Sequence, residues 1–278
     1  MLRIGRIPYI NCFPVYGAID RAIVSLDGEL VTGVPTALNR LMADGQLDVS
    51  VVSAVEYARD AARYLLLPEL GITSNGPVRS VMLFSKKPAT DLDHRRVIVS
   101  RSSMTSVALL KLLFENVWQA EPEFVRGDAE LADIDRFEDD QHDARLVIGD
   151  AALRLSGEER WSSAYPYSFD LGETWKQWTG LPFVFAVWVA QRTTPVREAL
   201  AAHAALIASR DWGLQHIDKL AAQAALSTGV SRERCIEYFE GLDYRLSYPH
   251  LAGLTDFFRR LVSAGRVPDG TLAFLPAA

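Results

Sequence analysis

The 278-residue chain is 49% hydrophobic and 23% charged, with a formal net charge of −6, so it has the composition of a globular protein with a sizeable core and lacks the basic footprint of a nucleic-acid binder. Its two cysteines, Cys12 and Cys235, are too few for a disulfide framework and too isolated for a zinc site, and Cys12 has no adjacent base to make it a nucleophile. The longest apolar stretches, such as 181–190, are about half the ~20 residues a membrane helix needs.

Residues 2–8 read as a strand whose apolar side chains need burial. No charged leader with an apolar h-region precedes it, so a cytoplasmic location is expected. Tyr9-Ile10-Asn11-Cys12-Phe13-Pro14 follows as a tight turn at the strand's carboxyl end, where open α/β sheets bind ligands. Asn11, which both donates and accepts, is therefore a candidate ligand reader. A helix is expected over about 15–23, a short strand over 29–32, and a helix over 37–43 capped by Thr36. That helix places Leu38, Leu41 and Met42 on one face and stops at Gly45. Strand 47–52 leads into Ser53-Ala54-Val55-Glu56, a capping box with Ser53 as N-cap and Glu56 reaching back.

Strand 78–85 ends at Lys86-Lys87-Pro88, after which the pattern restarts. Strand 96–100 is followed by the polar turn Ser102-Ser103-Met104-Thr105-Ser106. The helix after it has Val107, Leu110, Leu113, Phe114 and Val117 at three- and four-residue spacing. Strands 122–125 and 144–148 come next, the second ending at Gly149-Asp150. Between them, the acidic run 138–140 with His142 and Asp143 reads as a solvated loop. Asp170-Leu171-Gly172-Glu173 is another capping box, opening a helix through Trp175 and Trp178 that Gly180 and Pro182 end. Residues 183–189 are apolar throughout, as in a strand buried on both faces. From Pro195, suited to a first helical turn, the chain reads as helical. Val196, Leu200, His203 and Ile207 share one side there, and further helices lie near 232–240 and 250–264.

Strands alternating with helices imply largely parallel sheets. The expected fold class is α/β, two-lobed, with the ligand cleft between the lobes. Lobe I would comprise 1–87 and 189–278, including the helical C-terminal segment. Lobe II, 88–188, would be inserted, with crossings near 85–90 and 185–190.

Five polar turns then face the cleft: Tyr9 to Asn11, Ser53, Ser80 within Arg79-Ser80-Val81, Ser102 to Ser106, and Gly149-Asp150. Any one hydroxyl is as well explained as an N-cap worth about 1 kcal/mol. Five at matching strand ends point instead to a ligand. The helix opened by Ser102 or Ser103 has no acidic residue for more than two turns. Its N-terminal N–H groups and positive partial charge suit a carboxylate or phosphate. None of His94, His142, His203, His216 and His250 lies in a motif. Dinucleotide, P-loop, zinc-protease and nucleophile-elbow signatures do not occur. Neutral hydrogen bonds and helix ends are therefore expected to do the work, with no cofactor and no metal.

Several segments together resemble one family. They are Gly5-Arg6-Ile7-Pro8-Tyr9-Ile10-Asn11-Cys12-Phe13-Pro14-Val15, the stretch 47–57, Val78-Arg79-Ser80-Val81, Ser103-Met104-Thr105-Ser106-Val107, Ile148-Gly149-Asp150-Ala151-Ala152-Leu153, and 170–175 through 179–183. Over nearly the whole chain the pattern is similar to chorismate dehydratases of the futalosine route to menaquinone. The resemblance implies a type II periplasmic-binding-protein-like fold and a lyase that removes water from chorismate to give 3-[(1-carboxyvinyl)oxy]benzoate without a cofactor. It implies catalytic roles for Asn11 and Ser80 and a substrate-holding turn of Ser103, Thr105 and Ser106. Tyr9, Ser53, Ser102, Met104, Gly149 and Asp150 complete the expected substrate contacts. Whether Arg79 or Arg101 reaches a substrate carboxylate is left open. The expected partner is the dicarboxylate chorismate, with a homodimer allowed and neither nucleic acid nor membrane. One alternative is the sister enzyme 1,4-dihydroxy-6-naphthoate synthase, which shares the fold and calls for a histidine base in the cleft. The other is a non-catalytic protein that binds small carboxylates.

Overall fold

A computed structural model describes residues 1–127 and 142–276, and its strands fall into two five-stranded sheets. The first contains β1 (Arg3–Arg6), β2 (Glu29–Thr32), β3 (Val49–Ser53), β4 (Tyr64–Ser74) and β10 (Phe183–Gln191), ordered β2-β1-β3-β10-β4. The second contains β5 (Val81–Ser85), β6 (Arg96–Ser100), β7 (Glu123–Gly127), β8 (Ala144–Ile148) and β9 (Tyr167–Asp170), ordered β7-β6-β8-β5-β9. Both follow one plan. Three neighbouring strands are parallel. The fourth position holds an antiparallel strand, β10 in the first sheet and β5 in the second.

The helices are α1 (Phe13–Tyr16), α2 (Pro35–Ala43), α3 (Ala54–Arg59), α4 (Met104–Leu113), α5 (Gly149–Leu155), α6 (Glu159–Ala164), α7 (Leu171–Thr179), α8 (Val196–Gln215), α9 (Ile217–Thr228), α10 (Arg232–Gly241) and α11 (Tyr248–Ser263). No helix among the described residues is long and apolar enough to cross a membrane. The acidic run 138–140 lies outside the described residues. His142 beside it is buried, with Nε2 at 2.6 Å from the Tyr165 hydroxyl.

The lobes are divided differently from the sequence expectation. β5 belongs to the second sheet and β10 to the first, so the crossings fall at 75–80 and 171–182. The apolar runs 78–85 and 183–189 each enter a new sheet rather than finish the old one. An apolar run reports burial but not which sheet buries it.

Local departures have equally specific causes. The helix expected over 15–23 is one turn, Phe13–Tyr16, preceded by a 3-10 turn at Ile10–Cys12. Thr36 does not cap α2; the helix begins at Pro35, whose missing N–H costs nothing in the first turn. Ser53 does cap α3, accepting from Glu56 N at 3.2 Å. The Glu56 carboxylate does not reach back, because it accepts from the Tyr64 hydroxyl at 3.2 Å instead. β4 has no clean sequence pattern, since Pro68 and the positive φ of Glu69 (56°) interrupt it. Both are tolerated because β4 is an edge strand. His203 packs as expected, with Nε2 at 2.8 Å from the Pro68 carbonyl.

Large buried side chains find partners for their polar ends. Trp188 Nε1 donates to Tyr16 Oη at 3.1 Å, and that hydroxyl donates to the Gly5 carbonyl at 3.1 Å. Both crossings converge on Asp170. As N-cap of α7 it accepts from Gly172 N (2.9 Å) and Glu173 N (3.1 Å), and it also accepts from Val78 N (3.0 Å) and Arg79 N (2.6 Å). Burial pushes this carboxyl above its ordinary value, and the four N–H donors pull against that.

Replacing Asp170 by Ala strands these donors, and urea unfolding should register a loss of about 2–4 kcal/mol. Asp170→Asn, which retains an acceptor, should lose less. A second expectation concerns acid. His250 opens α11, with Nδ1 accepting from Ser247 N at 3.2 Å, and burial lowers its pKa while Asp243 opposes. The folded ring stays neutral where the unfolded one is protonated, so this stability is complete above about pH 6.5 and is lost as pH falls below it. The thermal midpoint should drop between pH 7 and 5.5, and drop less in His250→Asn.

Candidate active site

The carboxyl ends of β1, β3, β6 and β8 and the amino end of antiparallel β5 meet at the seam between the sheets. A cavity there is lined from all five expected turns, by Tyr9, Asn11, Ser53, Ser80, the Ser103–Ser106 turn and Gly149. Its volume is about 60 Å³, room for about four to six waters at ~10–15 Å³ each.

The hydroxyls are held in a common way. Ser53 Oγ accepts from Asn39 Nδ2 (2.9 Å) and Glu56 N (3.2 Å). Thr105 Oγ1 accepts from Val55 N of the facing lobe at 3.2 Å. Ser103, N-cap of α4, accepts from Ser106 N at 3.2 Å and donates to Ser106 Oγ at 2.8 Å. Ser80 Oγ accepts from Tyr238 Oη at 2.8 Å. A hydroxyl has one proton and two lone pairs. Bonds received from the protein leave the protons of Ser53, Thr105 and Ser106 without an acceptor among the described residues. Among the described residues the Ser80 proton has the Val78 carbonyl alone, at 3.3 Å. The complementary group is Asn11, whose Oδ1 is buried without a partner. No cavity-lining side chain among the described residues is charged. The site thus offers hydroxyl donors, the N-terminus of α4 and one amide acceptor, a set matched to an anion that also carries a hydroxyl.

Gly149 has φ +65°, and a Cβ there would stand 3.1 Å from the Tyr9 ring, so glycine lets that ring lie against the backbone. Ser102, Met104 and Asp150, expected as substrate contacts, do not line the cavity. Asp150 Oδ1 accepts from Ile10 N at 3.1 Å and joins the two lobes. Met104 Sδ lies 3.1 Å from Asn39 Nδ2 and borders an outer pocket. Ser102 is spent on the turn, where its N–H donates to Ser100 Oγ at 3.0 Å. Arg79 Nη1 donates to the Glu237 carbonyl at 2.9 Å, and neither it nor exposed Arg101 lines the cavity. Cys12 is buried behind the site, and desolvation pushes its thiol up to about 12, which suits packing and not nucleophilic attack.

Sequence reasoning missed the apolar wall of Ile72, Val78, Ile148, Phe185 and Ala186. Phe185 stands where the β10–β4 register shifts, and nothing within a uniformly apolar run marks that position. It also missed the two groups that hold the hydroxyls. Asn39 and Tyr238 left a trace, each being a polar group within a buried stripe, Leu38-Asn39-Met42 on α2 and Cys235-Tyr238-Phe239 on α10.

Comparisons with known proteins agree with this geometry. A chorismate dehydratase of Thermus thermophilus is 33% identical over 268 residues, covering 91% of this chain and 95% of that protein. Among solved structures, a protein from Archaeoglobus fulgidus superposes with a TM-score of 0.77 at 19% identity, covering 96% of this chain and 98% of that one. The periplasmic aliphatic sulphonate binding protein of Escherichia coli superposes at 0.61 with 13% identity, covering 100% and 94%. These two likenesses show the fold, the two-lobed periplasmic-binding-protein architecture. The family model described as menaquinone biosynthesis matches residues 2–263, a span that takes in both sheets and every cavity residue, and on that match and the Thermus relative the chain belongs to this family.

Proposed function

We propose that the chain is a chorismate dehydratase, a cytoplasmic hydro-lyase that converts chorismate to 3-[(1-carboxyvinyl)oxy]benzoate and water for menaquinone synthesis. The observation that carries this reading is the donor-rich, uncharged cleft with its single unpartnered acceptor, Asn11 Oδ1. The name of the Thermus relative supports it.

Chorismate brings two carboxylates and one ring hydroxyl. The ring carboxylate sits at the N-terminus of α4, held by Ser103, Thr105 and Ser106. The ring lies on the apolar wall that includes Phe185 and Ala186. Asn11 Oδ1 accepts from the ring hydroxyl, and Ser80 donates to that hydroxyl's oxygen.

The reaction breaks the C–H bond at the ring carbon bearing the enolpyruvyl ether. The electron pair delocalises through the diene into the ring carboxylate, where the hydroxyl donors and the helix terminus stabilise it. The neighbouring C–O bond then breaks, hydroxide leaves and takes up the proton as water, and the ring becomes aromatic. None of the five histidines lines the cavity, so the substrate's own enolpyruvyl carboxylate serves as base. The same observation disfavours the naphthoate-forming sister reaction, which calls for a cleft histidine.

Incubation of the purified protein with chorismate should yield a product lighter by one water, read by mass spectrometry. Chorismate bound but unchanged would instead favour a carboxylate-binding protein. Ser80→Ala should lower kcat by about 10²–10³, the loss typical of one preorganised donor at a developing charge, and Asn11→Ala should lower it about tenfold, the loss of one orienting hydrogen bond. Full turnover in both variants would remove them from the mechanism.

A further inference from the structure

Ser80 is presented to the cleft by an uncommon corner. Its N–H donates to the Val78 carbonyl at 2.7 Å, closing a three-residue turn around Arg79, whose φ is +59°. A bulky residue at positive φ is costly and persists only when its surroundings over-determine it. Here they do. Asp170 holds the Val78 and Arg79 N–H groups, Gly149 N donates to the Ser80 carbonyl at 2.8 Å, and Arg79 Nη1 reaches the Glu237 carbonyl. The last restraint comes from the next residue of α10. Tyr238, 158 positions along the chain, donates its hydroxyl to Ser80 Oγ at 2.8 Å. Tyr238 is buried and does not line the cavity.

We propose that Tyr238 is a positioning residue for the dehydration, occupying a lone pair of Ser80 Oγ so that the serine proton is aimed at the substrate's leaving hydroxyl. This rests on the reading of Ser80 given above. Among the described residues the serine's other partner is the Val78 carbonyl at 3.3 Å, long against the 2.7–2.8 Å usual for O–H···O bonds. The serine can therefore exchange that acceptor for a ligand oxygen at little cost while the shorter bond from Tyr238 stays in place. A hydroxyl that receives a hydrogen bond also donates a stronger one. Tyr238 supplies no proton. Burial holds its ionisation far above the ordinary phenol range, so it remains a neutral donor throughout. The bonds that break and form are those of the substrate, and Ser80 and Tyr238 end the step as they began it.

The bland account is packing, because Tyr238 shares the buried stripe with Cys235 and Phe239. A double-mutant cycle on the full chain separates the two. Tyr238→Phe should lower kcat for chorismate about tenfold, the effect of losing one hydrogen bond, with KM changed less than about twofold. In a Ser80→Ala background the same substitution should change kcat by less than about twofold, because the hydroxyl it positions is gone. An equal loss in both backgrounds, or full kcat in Tyr238→Phe, overturns the proposal. Should Tyr238→Phe not accumulate as folded protein, 3-fluorotyrosine at position 238 keeps the ring and gives a stronger donor. It should raise kcat when Ser80 is present and not in Ser80→Ala, and an unchanged or lower kcat overturns the proposal. A wild-type chain that does not dehydrate chorismate overturns the functional reading and this proposal with it. An active wild type without the coupling overturns this proposal alone.

Discussion

Each sheet is completed by a strand that has just arrived from the other sheet, and the rest of the molecule depends on that exchange. β5 and β10 enter antiparallel between strands that point the other way. The amino end of β5 therefore meets the carboxyl ends of β1, β3, β6 and β8, and Ser80 stands among the turns that follow those strands. The two crossings have to be held in register for this to work. Asp170 does it with one carboxylate, accepting N–H groups from the start of α7 and from the corner that carries Ser80. The crossing between the lobes and the corner that mounts the Ser80 hydroxyl are thus the same piece of structure.

Among the described residues no side chain lining the cleft is charged. A buried arginine would attract a carboxylate strongly, but its desolvation in an empty closed site would be costly. Hydroxyls whose lone pairs are already taken, and a helix terminus with unpaired N–H groups, are neutral donors oriented before the ligand arrives. Orientation is the useful property in the proposed elimination, where negative charge spreads through the ring toward its carboxylate. Thr105 accepts from Val55 and Asp150 accepts from Ile10 across the seam, so both lobes build the cradle.

A periplasmic sulphonate-binding protein has the same architecture. Fold decides where a ligand is enclosed; the residues at the strand ends decide whether it reacts. In this chain the strand ends bring together a few neutral groups. Asn11 has an acceptor to spare, and Ser80 has a weakly held proton and is braced by Tyr238, which does not line the cavity.

Much of this was legible in the chain alone, for physical reasons that differ by element. Ser53, Ser103 and Asp170 cap helices as their spacing indicated, because an N-cap is a local bond between residues two or three apart. The polar turns after β1, β3, β6 and β8 followed from alternation of strand and helix, which is also local. The tertiary structure decided everything that needed a distant partner. It assigned the runs at 78–85 and 183–189 to the opposite sheets from those expected, turned Asp150 and Met104 away from the cavity, and gave Arg79 a backbone carbonyl in place of a substrate. It also decided which way each hydroxyl points. A serine's type says only that it can donate and accept. The donors that occupy its lone pairs, Asn39 for Ser53, Val55 for Thr105 and Tyr238 for Ser80, lie 14, 50 and 158 positions away and act only through packing.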